Sequence, residues 1–269
     1  MGGLPFESGY AYLLQNCEEV ITLSVSATLA VQDILLGIAL NGGQYAVGLP
    51  DVWNDTKPED MAGKIRQSKD SLTAQNCYQW SFDEDCDFTE EWKHAFNLMG
   101  NAQKVLIVTI NRNGKKHKEM LYRKEDGGVF LKELSDGAYQ VSAEAPVLSE
   151  YLKAFFGKAD ELCSEITSLS SLEVKDILEG KPKERNKTPS EDDSAAALRK
   201  RLADGSTVSF SIVEPARNEL IYTASILACD KRVDRMTVRY TNEDETVEFS
   251  TLSNEAQQKL ADEIIAQME

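Results

Sequence analysis

Two histidines, five cysteines and a surplus of carboxylates are the residues of this 269-residue chain that could carry chemistry. His94 stands in the segment 92–99 beside an apolar stripe, and His117 stands in Lys115-Lys116-His117-Lys118, just past a turn signal. By spacing, the first reads as a partly exposed helix residue and the second as a solvated turn residue. No His-x-x-x-His pair and no His/Cys cluster offers zinc its four ligands. Cys17, Cys77, Cys86, Cys163 and Cys229 are odd in number and include no Cys-x-x-Cys pair. They read as buried or free thiols of a reducing compartment, not as a disulfide framework. Asp83, Asp85 and Asp87 alternate as the first ligands of a calcium loop would. The glycine position of that loop is Phe88 and its closing glutamate position is His94, so the run reads as an acidic lead-in to a helix. Gly42-Gly43 and Gly127-Gly128 read as turn glycines, and there is no phosphate-cradling loop and no Gly-x-Ser-x-Gly elbow. The sequence therefore nominates no catalytic, metal-binding or cofactor-binding residue, and the chain is expected not to be an enzyme.

Charge narrows the partners. A formal net charge of −16 opposes binding to a phosphate backbone or an anionic bilayer, because both need clustered Lys and Arg. No nucleic acid and no membrane insertion are expected, and the chain reads as cytoplasmic. Residues 1–18 lack a basic start and include Glu7 and Glu18, so they do not read as a signal peptide. The apolar stretch 20–40 opens with strict alternation: Ile21, Leu23, Val25 and Ala27 on one side, Thr22, Ser24, Ser26 and Thr28 on the other. That period of two marks a half-buried strand. Residues 29–40 contain Gln32 and Asp33 and read as a short helix ended by Asn41-Gly42-Gly43.

The elements that would position any site follow from periodicity. Residues 48–77 read as loop with one short helix near 60–68, and Trp80 and Phe82 as a short strand. Thr89 heads a helix with Glu90 and Glu91 in its first turn; Phe88, Trp92, Phe96 and Met99 recur at helical spacing and Gly100 ends it. A meander follows. Residues 105–110 read as a central strand, Asn113-Gly114 as a hairpin turn, and 120–123, 129–131 and 139–143 as further strands. Pro146 is expected to open a helix with Leu148, Leu152, Phe155 and Phe156 on one face. Leu162, Ile166 and Leu169 have helical spacing, and Ser170 with Glu173 makes a capping box before Val174. The polar run 181–194 reads as a mobile loop, and 195–202 as a short helix. A second meander then alternates through Val208, Phe210 and Ile212, a long strand 220–228, Met236, Val238 and Tyr240, and Val247 with Phe249. Ser253 caps a last helix through Ala256, Leu260, Ile264 and Met268.

The fold class is thus α+β: two quasi-equivalent halves, each an antiparallel β-meander with flanking helices, related by a pseudo-twofold. The halves are 1–157 and 158–269, forming one compact unit. If one face of the second sheet is open, Tyr222, Ile226, Tyr240 and Phe249 are its expected partner-binding residues.

The run of AQKVLIVTINRNG, KHKEMLYRKEDGGVFLKEL and AYQVSAEAPVLSEYLKAFFG, then KPKERNKTPSEDDS and the unit from STVSFSIVEP to ADEIIAQME, resembles the EspG family of cytosolic chaperones of type VII secretion. The resemblance implies a quasi-twofold α+β fold and a protein partner: a helical secretion substrate or its complex, kept soluble until export. Two other readings stand beside this chaperone or targeting role. One is an immunity protein that neutralises a toxin, suggested by the acidic charge. The other is an enzyme whose site is assembled from carboxylates.

Overall fold

The computed structural model describes residues 25–54, 56–80, 86–125, 127–156, 166–181, 193–229, 232–240 and 244–269. In chain order it runs β1 (Ser26–Leu29), α1 (Val31–Leu40), α2 (Pro58–Ala74), β2 (Tyr78–Trp80), β3 (Cys86–Phe88), α3 (Glu90–Gly100), β4 (Lys104–Arg112), β5 (Lys115–Lys124), β6 (Gly127–Glu133), β7 (Tyr139–Ser142) and α4 (Leu148–Lys153). The second half runs β8 (Ile166–Ser170), α5 (Ser171–Leu178), α6 (Asp193–Asp204), β9 (Ser206–Glu214), β10 (Glu219–Cys229), β11 (Arg232–Tyr240), β12 (Glu245–Thr251) and α7 (Asn254–Met268). The fold is α+β. Twelve strands are described; ten form one antiparallel sheet in the order β1-β7-β6-β5-β4-β9-β10-β11-β12-β8, and β2 and β3 form a separate ribbon.

The strand order repeats between halves. In each, a strand (β1 or β8) leads through helices into a four-strand meander, and the meander's last strand (β7 or β12) pairs back with it. The equivalence is one of strand order, and the halves join where β4 pairs antiparallel with β9. The expected boundary between 157 and 158 lies outside the described residues, as do residues 20–24 of the first alternating run, Phe82, Leu162 and nearly all of the run 181–194.

Local chemistry explains the elements. Asn113 and Gly114 both have positive φ (51° and 74°), the backbone of a two-residue hairpin turn. Ser170 Oγ accepts from Glu173 N at 3.2 Å to start α5, and Ser253 Oγ accepts from Ala256 N at 3.2 Å to start α7. Thr89 stands at the N-cap of α3 without a capping bond; the helix is held by burial of Trp92, Phe96, Leu98 and Met99.

Three segments depart from their expected form. The stretch read mainly as loop contains the 17-residue helix α2, with Pro58 in its first turn. Its stripe Met61, Ile65, Ser68 and Leu72 has helical spacing, but only Ser68 and Leu72 are buried, so the apolar signal is thin. Residues 166–170 form a strand, because β12 offers them a paired edge; Ile166 is accordingly exposed and Leu169 buried. Helix α4 begins at Leu148, not at Pro146: Ala145 N–H still bonds Gly128 O at 2.9 Å and keeps the chain extended.

The sheet separates three apolar clusters. One face packs Val105, Met120, Tyr122 and Leu131 of the first half under α1, α2 and α3. The same face packs Leu227, Val247 and Phe249 of the second half under α5 and α6. The other face carries Leu106, Val108, Phe130, Phe210, Ile212 and Ile226 under α4 and α7.

Within the first cluster Gly100 and Gly43 touch backbone to backbone: a Cβ on Gly100 would meet Gly43 Cα, and Gly100 O accepts from Gln44 N and Tyr45 N at 2.7 and 3.0 Å. Gly63, inside α2, faces open space. Gly100→Ala is therefore expected to cost about 1–3 kcal/mol of stability by overpacking. Gly63→Ala should instead gain about 0.5–1 kcal/mol from helix propensity. Urea unfolding of the two variants reads both.

Candidate partner-binding face

Among the described residues, the two helical layers on the face carrying α1–α3 and α5–α6 stop short of each other. Side chains of directly paired residues share a face, so the register maps the gap. Ile107, at the edge of the first cluster, pairs with Ser211, which pairs with Thr223. Thr109 pairs with Ser209, Ser209 with Ser225, and Ser225 with Met236 at the edge of the third cluster. Ser209, Ser211, Val213, Leu220, Thr223 and Ser225 belong to none of the three buried clusters and are half-buried or exposed. The uncovered strip is two to three strand spacings wide, roughly 10–15 Å. That matches the roughly 10–12 Å diameter of an α-helix with its side chains.

The strip has unlike ends. At one end Asn111 and Thr207 are buried, and the β4–β5 turn approaches the end of α5, with Leu178 O 3.6 Å from a Cβ built on Gly114. At the other end stand Leu220, Val238 and Tyr240, which are 58%, 46% and 78% exposed. The floor between them is hydroxyl-bearing, and Ser209 Oγ and Ser225 Oγ lie 2.9 Å apart in a mutual hydrogen bond. Such a floor is satisfied in water; when a close-packed surface replaces the water the Ser209–Ser225 pair keeps its bond, and any hydroxyl left without a partner costs about 1–3 kcal/mol.

The four residues expected to bind a partner do not come together. Tyr240 is at the open end of the strip. Ile226 and Phe249 are fully buried on opposite faces of the sheet, in the second and third clusters, and act as core. Tyr222 lies against α7, with its hydroxyl 3.4 Å from Glu263 Oε2; burial first, then Glu263, raises its pKa. Sequence reading missed Ser209, Ser211, Thr223 and Ser225. Their signal was a run of small hydroxyls opposite the apolar positions of β9 and β10, which looks the same on any solvated face.

No protein-family model matches the chain, and no curated protein matches it. Among solved structures it is similar to the Mycobacterium tuberculosis type VII secretion system chaperone EspG5, determined in complex with a PE25-PPE41 dimer. The TM-score is 0.48 at 8% sequence identity, over 89% of this chain and 94% of that one.

The residues that could do chemistry are scattered. His94 is exposed on α3. His117 lies on β5, not in a solvated turn, and its Nε2 is enclosed. Of the aspartate run, Asp83 and Asp85 lie outside the described residues, and Asp87 pairs with Lys93 at 2.6 Å. Among the described residues no group of three or more His, Cys, Asp or Glu could hold a metal, and no helix is long and apolar enough to cross a membrane. A cavity of about 470 Å³ between α5 and α6 is lined partly by Lys181, Arg199 and Lys200. Two of those cations are committed to carboxylates: Lys181 to Asp176 and Glu179, Arg199 to Glu173.

Cys77 is fully buried beside α2, and burial, with the Asp33 carboxylate adding to it, pushes its thiol up to about 12. The folded state thus holds this proton more tightly than the unfolded chain. The resulting stability is complete below the ordinary thiol value and is lost as pH rises from about 9 to about 12, at about 1.4 kcal/mol per pH unit. Peptide mapping after alkylation at pH 8 should find Cys77 protected until denaturant is added. Cys77→Ala should flatten the alkaline fall in stability, and equal slopes for variant and parent would refute the assignment.

Proposed function

We propose that the chain is a protein-binding chaperone or targeting factor that seats a helical segment of a partner on the open strip of its sheet. The observation that carries this is the fit between a gap roughly one helix wide and a floor of small hydroxyls rising to exposed Leu220, Val238 and Tyr240. A helix offering small and apolar side chains would pack on that floor without stranding a charge. The overall charge of −16 would keep the complex soluble and favour partners with a basic rim. The chemistry of the strip suits an exported helical hairpin with an apolar tip, and the resemblance read from element order points to a type VII secretion substrate.

The test is co-expression with the helical secreted proteins encoded beside the gene. The parent chain should hold one of them in a soluble complex. Ser211→Arg, which plants a long cation in the middle of the strip, should weaken capture at least about tenfold while shifting the melting temperature by only a few degrees. Ser211→Ala should bind as the parent does. Equal capture by the Arg variant would remove the strip from the interface. Rescue of cells from a neighbouring toxin, without capture of a secreted helix, would replace the chaperone reading with immunity.

A further inference from the structure

Strands β10 and β11 are neighbours for only part of their length. Their pairing covers Ser225 to Cys229 against Met236 to Arg232 and then stops. Beyond that point β10 stays paired to β9 through Glu219, and β11 stays paired to β12 through Tyr240. The sheet therefore forks inside its own width. Residues 219–224 of β10 and 237–240 of β11 each have one edge with no strand partner among the described residues. The register shift between Leu220 and Tyr222 falls within the part of β10 that lacks β11, and irregularities of this kind bend a strand.

Two facing edges of this kind present backbone N–H and C=O groups at every second residue. A helix cannot satisfy them, because its own backbone groups are already paired. An extended chain can, since its groups repeat with the same period. The side chains around the fork specify such a segment. Leu220, Val238 and Tyr240 share the face of the open strip and are exposed. On the opposite face Arg239 is exposed and reaches Glu248 at 3.4 Å.

We infer that the fork between β10 and β11 is a strand-addition site for an extended segment of a partner protein, about four to six residues long. Every second residue of that segment is apolar and packs on Leu220, Val238 and Tyr240, and the intervening residues are polar. This rests on the reading that the chain binds a protein, but not on the helix seated in the strip. The strip at Ser209 and Ser211 and the fork at 219–224 can be tested apart.

The experiment is hydrogen–deuterium exchange on the full chain, with and without the synthetic peptide KTVKVTVK at millimolar concentration. In the free chain, alternate amides of 219–224 and 237–240 should exchange at least about tenfold faster than those of β9. The peptide should slow them at least about fivefold. The same peptide N-methylated at its valines, which lose their donors, should give no protection. Val238→Asp and Tyr240→Asp should each weaken the peptide's effect, whereas Ser211→Arg, which lies outside the fork, should leave it unchanged. Free-chain amides already protected like those of β9 would overturn the proposal. So would peptide protection that survives N-methylation, absence of protection, or protection that rises with protein concentration alone, which would assign the edges to a second copy of the chain.

Discussion

The pairing of β4 with β9 is the interaction on which the rest of the molecule depends. Seven residues, Val105 to Asn111, pair in unbroken register with Val213 to Thr207. The cluster on the α4–α7 face straddles that seam: Leu106, Val108 and Phe130 come from the first half, Phe210, Ile212, Ala224 and Ile226 from the second. Neither half could bury these residues alone. Separated at the seam, each would expose a long apolar edge strand of the kind that recruits other chains. The two units visible in the sequence are thus parts of one sheet with a shared apolar cluster.

The seam also decides where the sheet is bare. In each half the chain must travel from an outer edge strand, β1 or β8, to a central one, β4 or β9, and it does so through helices on a single face. The closing helices α4 and α7 return from β7 and β12 across the other face and pack against each other. Among the described residues, one face is therefore closed over the seam, and the other is covered from both flanks and left open in the middle. Buried polar contacts hold the second flank in place. Asp234, 1% exposed, accepts from Arg232 Nε at 3.0 Å and Thr251 Oγ1 at 2.9 Å, and Arg201 of α6 stands 3.3 Å from its other oxygen. Removing the carboxylate would leave two guanidinium groups facing a void, so α6 is fixed by an arrangement that is expensive to dismantle.

Much of the architecture was legible because it is encoded locally. Asn113-Gly114 sets its hairpin by backbone preference alone, Ser170 and Ser253 start their helices with their own side chains, and alternation along β9 separates Phe210 from Ser209 and Ser211. What escaped depends on distant partners. Helix α2 shows only a thin apolar stripe because it packs at the margin of its cluster, and β8 has strand form because β12 is there to receive it. The candidate site failed for the same reason. Ile226 and Phe249 are as apolar as any docking residue would be, and only the placement of α7 on one face and of α5 and α6 on the other makes them core. Tyr240 and Val238 follow the same alternation as Phe249 on the adjacent strand, yet stay exposed, because the helices end before reaching them.

An open sheet face must meet two opposed demands: stability in water while empty, and low cost of desolvation when filled. A floor of Leu and Val would satisfy the second and fail the first, since a broad apolar face is a route to aggregation. Charged residues would satisfy the first and fail the second. Hydroxyls on β-favouring or small residues lie between. Thr109, Ser209, Ser211, Thr223 and Ser225 can be hydrated while the face is empty, and Ser209 and Ser225 also bond each other, a bond that does not depend on water. The large apolar groups are confined to the forked end, where Leu220, Val238 and Tyr240 stand beside strand edges that have no strand partner among the described residues. If a partner binds here as proposed, affinity concentrates at one end and close fit along the rest, with a few anchors holding it and shape along the strip selecting it.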